Sequence, residues 1–121
     1  MGASGKTVLV VDDEFSIVET LTEILAWEGY RVRSASNGRQ ALEALRAERP
    51  DVVLLDVMMP VLDGHQLLEA MQAEGLGDIP VLLMSAAPIR PGPRGVLWKA
   101  ELRKPFDVTQ LLAALKLVLG G

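Results

Sequence analysis

The chain has 121 residues, enough for one domain with its own hydrophobic core, and we expect a single domain over 1–121 with a flexible N-terminus at 1–6. Half of the residues are hydrophobic, which argues against disorder, and the net charge of −4 disfavours direct binding to nucleic acid or anionic membranes. The absence of cysteine excludes disulfides and Cys-ligated metals and is consistent with a reducing cytoplasm. No apolar run reaches transmembrane length.

Short apolar runs alternate with segments of helical periodicity along the whole chain. In chain order the predicted elements are a strand at Thr7–Val11, a helix at 14–28, a strand at Arg31–Ala35, a helix at 38–48, a strand at 51–56, a helix at 65–74, a strand at 80–84, a weaker strand at Ala100–Arg103 and a last helix from Asp107 or Thr109 to about Leu119. A turn is predicted at 60–64. This alternation predicts an α/β fold with a parallel sheet covered by helices on both faces.

The segment between the last two predicted strands is unsuited to a helix. It contains Pro88, Pro91 and Pro93, and proline lacks the amide hydrogen that an interior helical position donates. We therefore predict that the helix in this position, 86–99, is degenerate or missing. Either the apolar group 96–98 is exposed as a partner surface, such as a dimer contact, or Trp98 folds back and fills the gap, which we favour.

Polar residues follow four of the predicted strands. Asp12 and Asp13 follow the first, Asp56 ends the third, Ser85 follows the fourth and Lys104 follows the fifth. If the sheet has the flavodoxin-like order 2-1-3-4-5, three carboxylates meet at one edge, where their mutual repulsion favours a divalent cation. Oxygen-only ligands suit Mg²⁺, and a carboxylate beside Mg²⁺ and a lysine has the parts for phosphoryl transfer to Asp56.

Four motifs in this order resemble the receiver domain of two-component response regulators. They are Asp12-Asp13, the run 56–60 with Asp63-Gly64, Ser85-Ala86 and the run 104–106, and the resemblance covers about 6 to 119. Each motif alone is weak, since Asp12-Asp13 could simply cap the first helix and Lys104 could be a solvated surface residue.

The resemblance implies a role for each site residue. Asp56 would be the phosphoacceptor, Asp13 a direct Mg²⁺ ligand and Asp12 a ligand mainly through water. Met58 would offer its backbone carbonyl to the metal, while Ser85 and Lys104 would contact phosphoryl oxygens. The implied partners are a histidine kinase or phosphotransfer protein as donor, and a downstream target or output domain. Such a domain catalyses its own phosphorylation and dephosphorylation but is a signalling domain more than an enzyme.

The sequence also departs from the family pattern. Glu101 stands where the family usually has an aromatic residue that moves on activation, and the interval between Ser85 and Lys104 is short. These departures keep open a pseudo-receiver that acts as a protein-docking module uncoupled from phosphorylation.

His65, the only histidine, is interpreted as a surface residue. A flavodoxin-like cofactor binder is disfavoured by the acidic residues after the first strand, and a dehalogenase-like phosphatase by Met58, where that chemistry needs an acid.

Overall fold

The protein forms a five-stranded parallel sheet with helices on both faces. The computed structural model describes residues 5–59, 62–92 and 95–120, so the predicted flexible N-terminus and the start of the predicted turn at 60–64 lie partly outside the described residues. The strands are β1 (Thr7–Val11), β2 (Arg31–Ala35), β3 (Val52–Asp56), β4 (Val81–Ser85) and β5 (Ala100–Arg103). Their order is β2-β1-β3-β4-β5, as predicted.

The strand sequences explain which strands occupy the centre. In β1 and β3 every residue is buried, because helices cover both faces of the sheet there. The edge strands β2 and β5 are more polar and partly exposed. The fourth strand runs one residue later than predicted. Pro80 has no amide hydrogen to donate to a ladder, and it contributes only its carbonyl, which accepts from the Val53 N–H at 3.0 Å.

Four helices are present in the described residues: α1 (Phe15–Trp27), α2 (Gly38–Ala47), α3 (Gly64–Ala73) and α4 (Val108–Val118). Asn37, Asp63 and Asp107 accept backbone N–H bonds at the starts of α2, α3 and α4, which is the usual function of Asn and Asp at that position. Helix α1 has no such side-chain cap. The alternative in which Asp12-Asp13 merely caps the first helix is therefore not what the structure shows.

The apolar side chains form one cluster on each face of the sheet. Helices α2 and α3 cover one cluster, which includes Leu45, Leu67 and Met71. Helices α1 and α4 cover the other, which includes Leu25, Leu111 and Leu115. Residues within a strand alternate between the clusters, as the two-residue period of a strand requires. None of the helices in the described ranges is long and apolar enough to cross a membrane.

The connection between β4 and β5 contains no helix within the described residues 86–92 and 95–99. The prediction that the fourth helix is degenerate or missing needs a correction, because the described residues contain four helices and the fourth in chain order is the C-terminal α4. What the described residues lack is a helix between β4 and β5. Trp98 is 9 % exposed and packs into the cluster under α2 and α3. The prediction that Trp98 folds back is confirmed, although Val96 beside it is 60 % exposed.

Candidate functional site

The carboxyl ends of the central strands bring the predicted acidic residues together. Val11 on β1 is in register with Leu55 on β3, so Asp12 and Asp56, the next residue in each chain segment, are neighbours across the ladder. One carboxylate oxygen from each of Asp12, Asp13 and Asp56 lies within 4.8 Å of the others. Asp12 and Asp56 are buried, while Asp13 is exposed at the mouth of the site.

Lys104 brings a positive charge to the same point from the end of β5. Its Nζ lies 3.5 Å from Asp12 Oδ2 and 3.6 Å from Asp56 Oδ1. The ammonium therefore sits between two buried carboxylates and balances part of their charge. The Lys104–Pro105 peptide bond is cis.

Asp56 is electrostatically perturbed by this arrangement. Burial, and next the Asp12 carboxylate, raise the pKa of Asp56 above its ordinary value. Lys104 and the Met58 backbone N–H, which donates to Asp56 Oδ1 at 3.2 Å, oppose that rise, and the Asp13 carboxylate adds a smaller contribution to it. The structure thus places the predicted phosphoacceptor where a negative charge is costly without a further cation.

One carboxylate oxygen in the site is buried without a hydrogen bond. Asp12 Oδ1 accepts from the Glu14 N–H at 3.0 Å, but Asp12 Oδ2 has no hydrogen-bond partner. Among the described residues, its only charged neighbour of opposite sign is the Lys104 ammonium at 3.5 Å. Buried polar atoms are normally hydrogen-bonded, and a carboxylate oxygen without a hydrogen bond beside two other carboxylates is the kind of ligand that a hard divalent cation uses. The three carboxylates therefore fit Mg²⁺ by their chemistry and by their spacing.

Two further predicted site residues, Ser85 and Met58, lie at this edge, and Met58 contacts the Asp56 carboxylate through its backbone. The Ser85 hydroxyl donates to the Ala87 carbonyl at 2.6 Å and accepts from the Ala87 N–H at 3.1 Å. Ser85 is thus engaged with its own loop. Met58 contributes its backbone N–H to Asp56, while its side chain is 76 % exposed.

The structure reveals two features that sequence reasoning missed. The first is the set of contacts around Trp98: its indole N–H donates to the Glu101 carboxylate at 2.9 Å, and its ring meets the His65 ring edge-on at a centroid distance of 6.0 Å.

The second feature is a cleft of about 500 Å³ between α1 and the start of α4. Its lining is mainly apolar and reaches Lys104 at one end. The i, i+3, i+7 spacing of Ile17, Thr20 and Ile24 on α1 was the available signal for this cleft.

Comparison with known proteins gives one consistent family. Residues 8–116 match the response regulator receiver domain family. The chain is 38 % identical over 115 residues to the response regulator MprA of Mycolicibacterium vanbaalenii, covering 93 % of this chain and 49 % of that protein. MprA of Mycobacterium ulcerans is 37 % identical over the same coverage. The chain thus spans about half the length of these curated relatives.

Solved structures agree with the sequence relatives. The chemotaxis protein CheY4 of Vibrio cholerae superposes with a TM-score of 0.84 at 31 % identity, covering 94 % of this chain and 98 % of that one. The receiver domain of the sensor histidine kinase PA1611 from Pseudomonas aeruginosa superposes with a TM-score of 0.85 at 27 % identity, covering 97 % of this chain and 99 % of that one. That structure has a magnesium ion coordinated in its active-site cleft.

Proposed function

Because the chain belongs to the response regulator receiver domain family, we propose that it accepts a phosphoryl group on Asp56 and changes its partner interactions in response. The observation that carries the proposal is the convergence of Asp12, Asp13 and Asp56 within 4.8 Å. The Lys104 ammonium forms ion pairs with two of these carboxylates, those of Asp12 and Asp56. Isolated acids on a surface would have no reason to share one partly buried lysine.

Asp56 is the nucleophile in this proposal. A carboxylate oxygen of Asp56 forms a bond to phosphorus while the bond from phosphorus to the donor breaks, either the P–N bond of a phosphohistidine or the P–O bond of acetyl phosphate. The departing imidazole takes up a proton, or acetate leaves as the anion. The product is a mixed anhydride on Asp56. Burial and the Asp12 carboxylate, which raise the pKa of Asp56, also oppose the negative charge that the phosphoryl group adds, so the transfer needs positive charge from Lys104 and from a bound cation.

Lys104 stabilises charge during and after transfer. Its Nζ already lies within 4 Å of Asp12 and Asp56, so an added phosphoryl oxygen on Asp56 comes within reach without a large movement. We assign Lys104 the pairing of that oxygen, a role that a flexible point charge fills well. When the ammonium turns towards the phosphoryl group, it weakens its interaction with Asp12.

Asp12, Asp13 and Asp56 would hold Mg²⁺, together with the backbone carbonyl of Met58. The bound ion would supply a positive charge that neutralises the phosphoryl oxygens. Asp12 supports this assignment through its Oδ2 atom, which within the described part of the chain makes no hydrogen bond and has only the Lys104 ammonium as a nearby positive charge, and Asp13 through its exposed position at the mouth of the site.

Ser85 would link the site to the connection that follows β4. Its hydroxyl now serves Ala87 through two hydrogen bonds, so a phosphoryl oxygen must compete with those bonds for it. Taking the hydroxyl would leave the Ala87 backbone without its partner. The connection would then be freed at the end nearest the site.

The partners follow from the family and from the surface beside the site. Receiver domains interact with histidine kinases and output domains, and we propose a histidine kinase or phosphotransfer protein as the donor here. The apolar cleft between α1 and α4 offers it a docking surface, since the cleft ends at Lys104. Phe15, 77 % exposed at the start of α1, extends that surface. A downstream target or output domain would read the switched state.

Intact-mass measurement tests the proposal directly. Incubation with acetyl phosphate and Mg²⁺ should add the mass of one phosphoryl group, and EDTA should prevent the addition. Asp56→Asn should abolish it, while Asp78→Asn, a control acid paired with Arg49 on the surface, should not. Retention of the increment in Asp56→Asn would refute the assignment. A folded wild type that never acquires the increment, from acetyl phosphate or a phosphohistidine donor, would instead favour the uncoupled docking module.

A further inference from the structure

Hydrogen bonds hold the described parts of the β4–β5 connection near each of its two ends. At the start, Ala87 is bound to the Ser85 hydroxyl. At the far end, the Lys99 N–H donates to the Val81 carbonyl at 2.8 Å, next to Trp98. Within the described parts of this connection, 86–92 and 95–99, Trp98 is the only buried residue. Its side chain is therefore the most deeply buried part of the connection in these ranges, with Ile89 and Leu97 partly buried against the cluster under α2 and α3.

Two contacts fix the orientation of the Trp98 indole. Its N–H donates to Glu101 at 2.9 Å, and its ring stands at 72° to the His65 ring. The bond to Glu101 satisfies the one polar atom of the indole, which allows the ring to be buried. In a fold of this kind a helix would otherwise cover this part of the sheet. Here the side chain of Trp98 covers this part of the sheet, and its hydrogen bond to Glu101 holds it there.

Backbone contacts at the start of α3 connect His65, and so Trp98, to the segment after Asp56. His65 follows Gly64, whose N–H donates to the carbonyl of Val57, the residue directly after Asp56, at 3.1 Å. A Cβ atom on Gly64 would lie 2.8 Å from Val57 Cα, so the two backbones are in close contact. A shift of the backbone after Asp56 therefore moves the start of α3, and with it the ring on which Trp98 rests.

We propose that Trp98 is a clasp that keeps the β4–β5 connection closed in the unphosphorylated protein and opens when Asp56 carries a phosphoryl group. This inference rests on the proposed function and names its output. Two ends of one connection respond together: Ser85 is withdrawn from Ala87, and the support under Trp98 moves. Opening exposes the indole together with Ile89 and Leu97, which are partly buried against the same cluster. The signal is thus the exposure of an apolar surface when the β4–β5 connection moves, and no helix has to change position.

Quenching of Trp98 fluorescence measures the clasp. Trp27, which is 88 % exposed, would dominate the signal, so the test uses Trp27→Phe with Trp98 as the only tryptophan. In Mg²⁺ alone, Trp98 should resist acrylamide. After acetyl phosphate, the quenching constant should rise at least threefold and the emission should shift to longer wavelength by several nanometres. Intact mass, measured on the same samples, reports phosphorylation independently.

Variants of Glu101 separate a clasp from ordinary packing. Glu101→Ala removes the acceptor, so Trp98 should be more accessible before phosphorylation and the difference between the two states should shrink by at least half. Glu101→Gln keeps an acceptor oxygen and should retain most of the difference. Both variants should acquire the phosphoryl increment as the Trp27→Phe background does, because Glu101 is not part of the phosphoacceptor cluster.

The two failures are distinguishable. A phosphorylated Trp27→Phe protein whose Trp98 quenching is unchanged overturns the clasp and leaves the phosphoacceptor function standing. The clasp is also overturned if Glu101→Ala responds as fully as the background. Absence of the mass increment removes the phosphoacceptor function and the clasp together.

Discussion

Removing the charge of Asp56 should stabilise the metal-free protein. At 4.8 Å, the upper limit of the separation between the carboxylate oxygens, two unit charges repel by about 3.5 kcal/mol at an effective dielectric constant of about 20. By the same relation, the attraction of Lys104 to Asp56 at 3.6 Å is about 4.6 kcal/mol. Lys104 thus offsets one repulsion, that of Asp12. The burial of Asp56 and part of the repulsion from the exposed Asp13 remain uncompensated. Asp56→Asn should therefore raise the free energy of unfolding in EDTA by about 1 kcal/mol.

The pH dependence has a defined sign. The pKa of Asp56 is raised in the folded state, so the folded protein holds this proton more tightly than the unfolded chain does. The stability that Asp56 contributes is complete below its unfolded pKa and is lost as pH rises through the folded pKa. The advantage of Asp56→Asn over wild type in EDTA should therefore grow from acidic pH to neutrality.

Thermal melts in EDTA and in Mg²⁺ check this reasoning. One kcal/mol corresponds to a rise of about 3–6 °C in melting temperature for a chain of this size. Mg²⁺ should raise the melting temperature of wild type more than that of Asp56→Asn, because it binds the native carboxylates. Asp78→Asn is the matched control, since it removes a surface carboxylate that is paired with Arg49, and it should give no gain. An Asp56→Asn protein that melts at or below wild type in EDTA would contradict the charge argument.

Three further substitutions test the site and its supports. Lys104→Ala should reduce the amide-exchange response to phosphorylation more than it reduces the phosphorylated fraction, and equal responses would count against a coupling role. Trp98→Ala should destabilise the protein by about 3–5 kcal/mol in urea unfolding, whereas Trp27→Ala should change stability by less than about 0.5 kcal/mol; similar losses would contradict the burial of Trp98. Gly64→Ala should cost about 1–3 kcal/mol, since its Cβ would meet backbone at 2.8 Å, while Gly92→Ala, with no atom within 4 Å, should be tolerated, and equal effects would refute the close contact.

The sequence by itself determined the sheet and the location of its chemistry. Strands β1 and β3 consist of short apolar runs that only a two-sided cover can bury, which predicts a parallel sheet with helices on both faces. The carboxyl ends of parallel strands share one edge, so Asp12, Asp56 and Lys104 could be placed together from their positions after strands. The prolines between β4 and β5 likewise predicted that no helix forms there, as the described parts of that connection show, because the effect of proline on the backbone is local.

Only the tertiary structure decided which side-chain atoms pair. The Ser85 hydroxyl is bound to Ala87 instead of facing Asp56, and one Lys104 ammonium is shared between two carboxylates. Likewise, the Glu101 carboxylate accepts a hydrogen bond from the Trp98 indole N–H, and no sequence motif predicts this pairing. Which atoms pair depends on the space and on the polar groups without a hydrogen bond that remain after the helices pack on the sheet. Both are properties of the whole fold and not of any local sequence pattern.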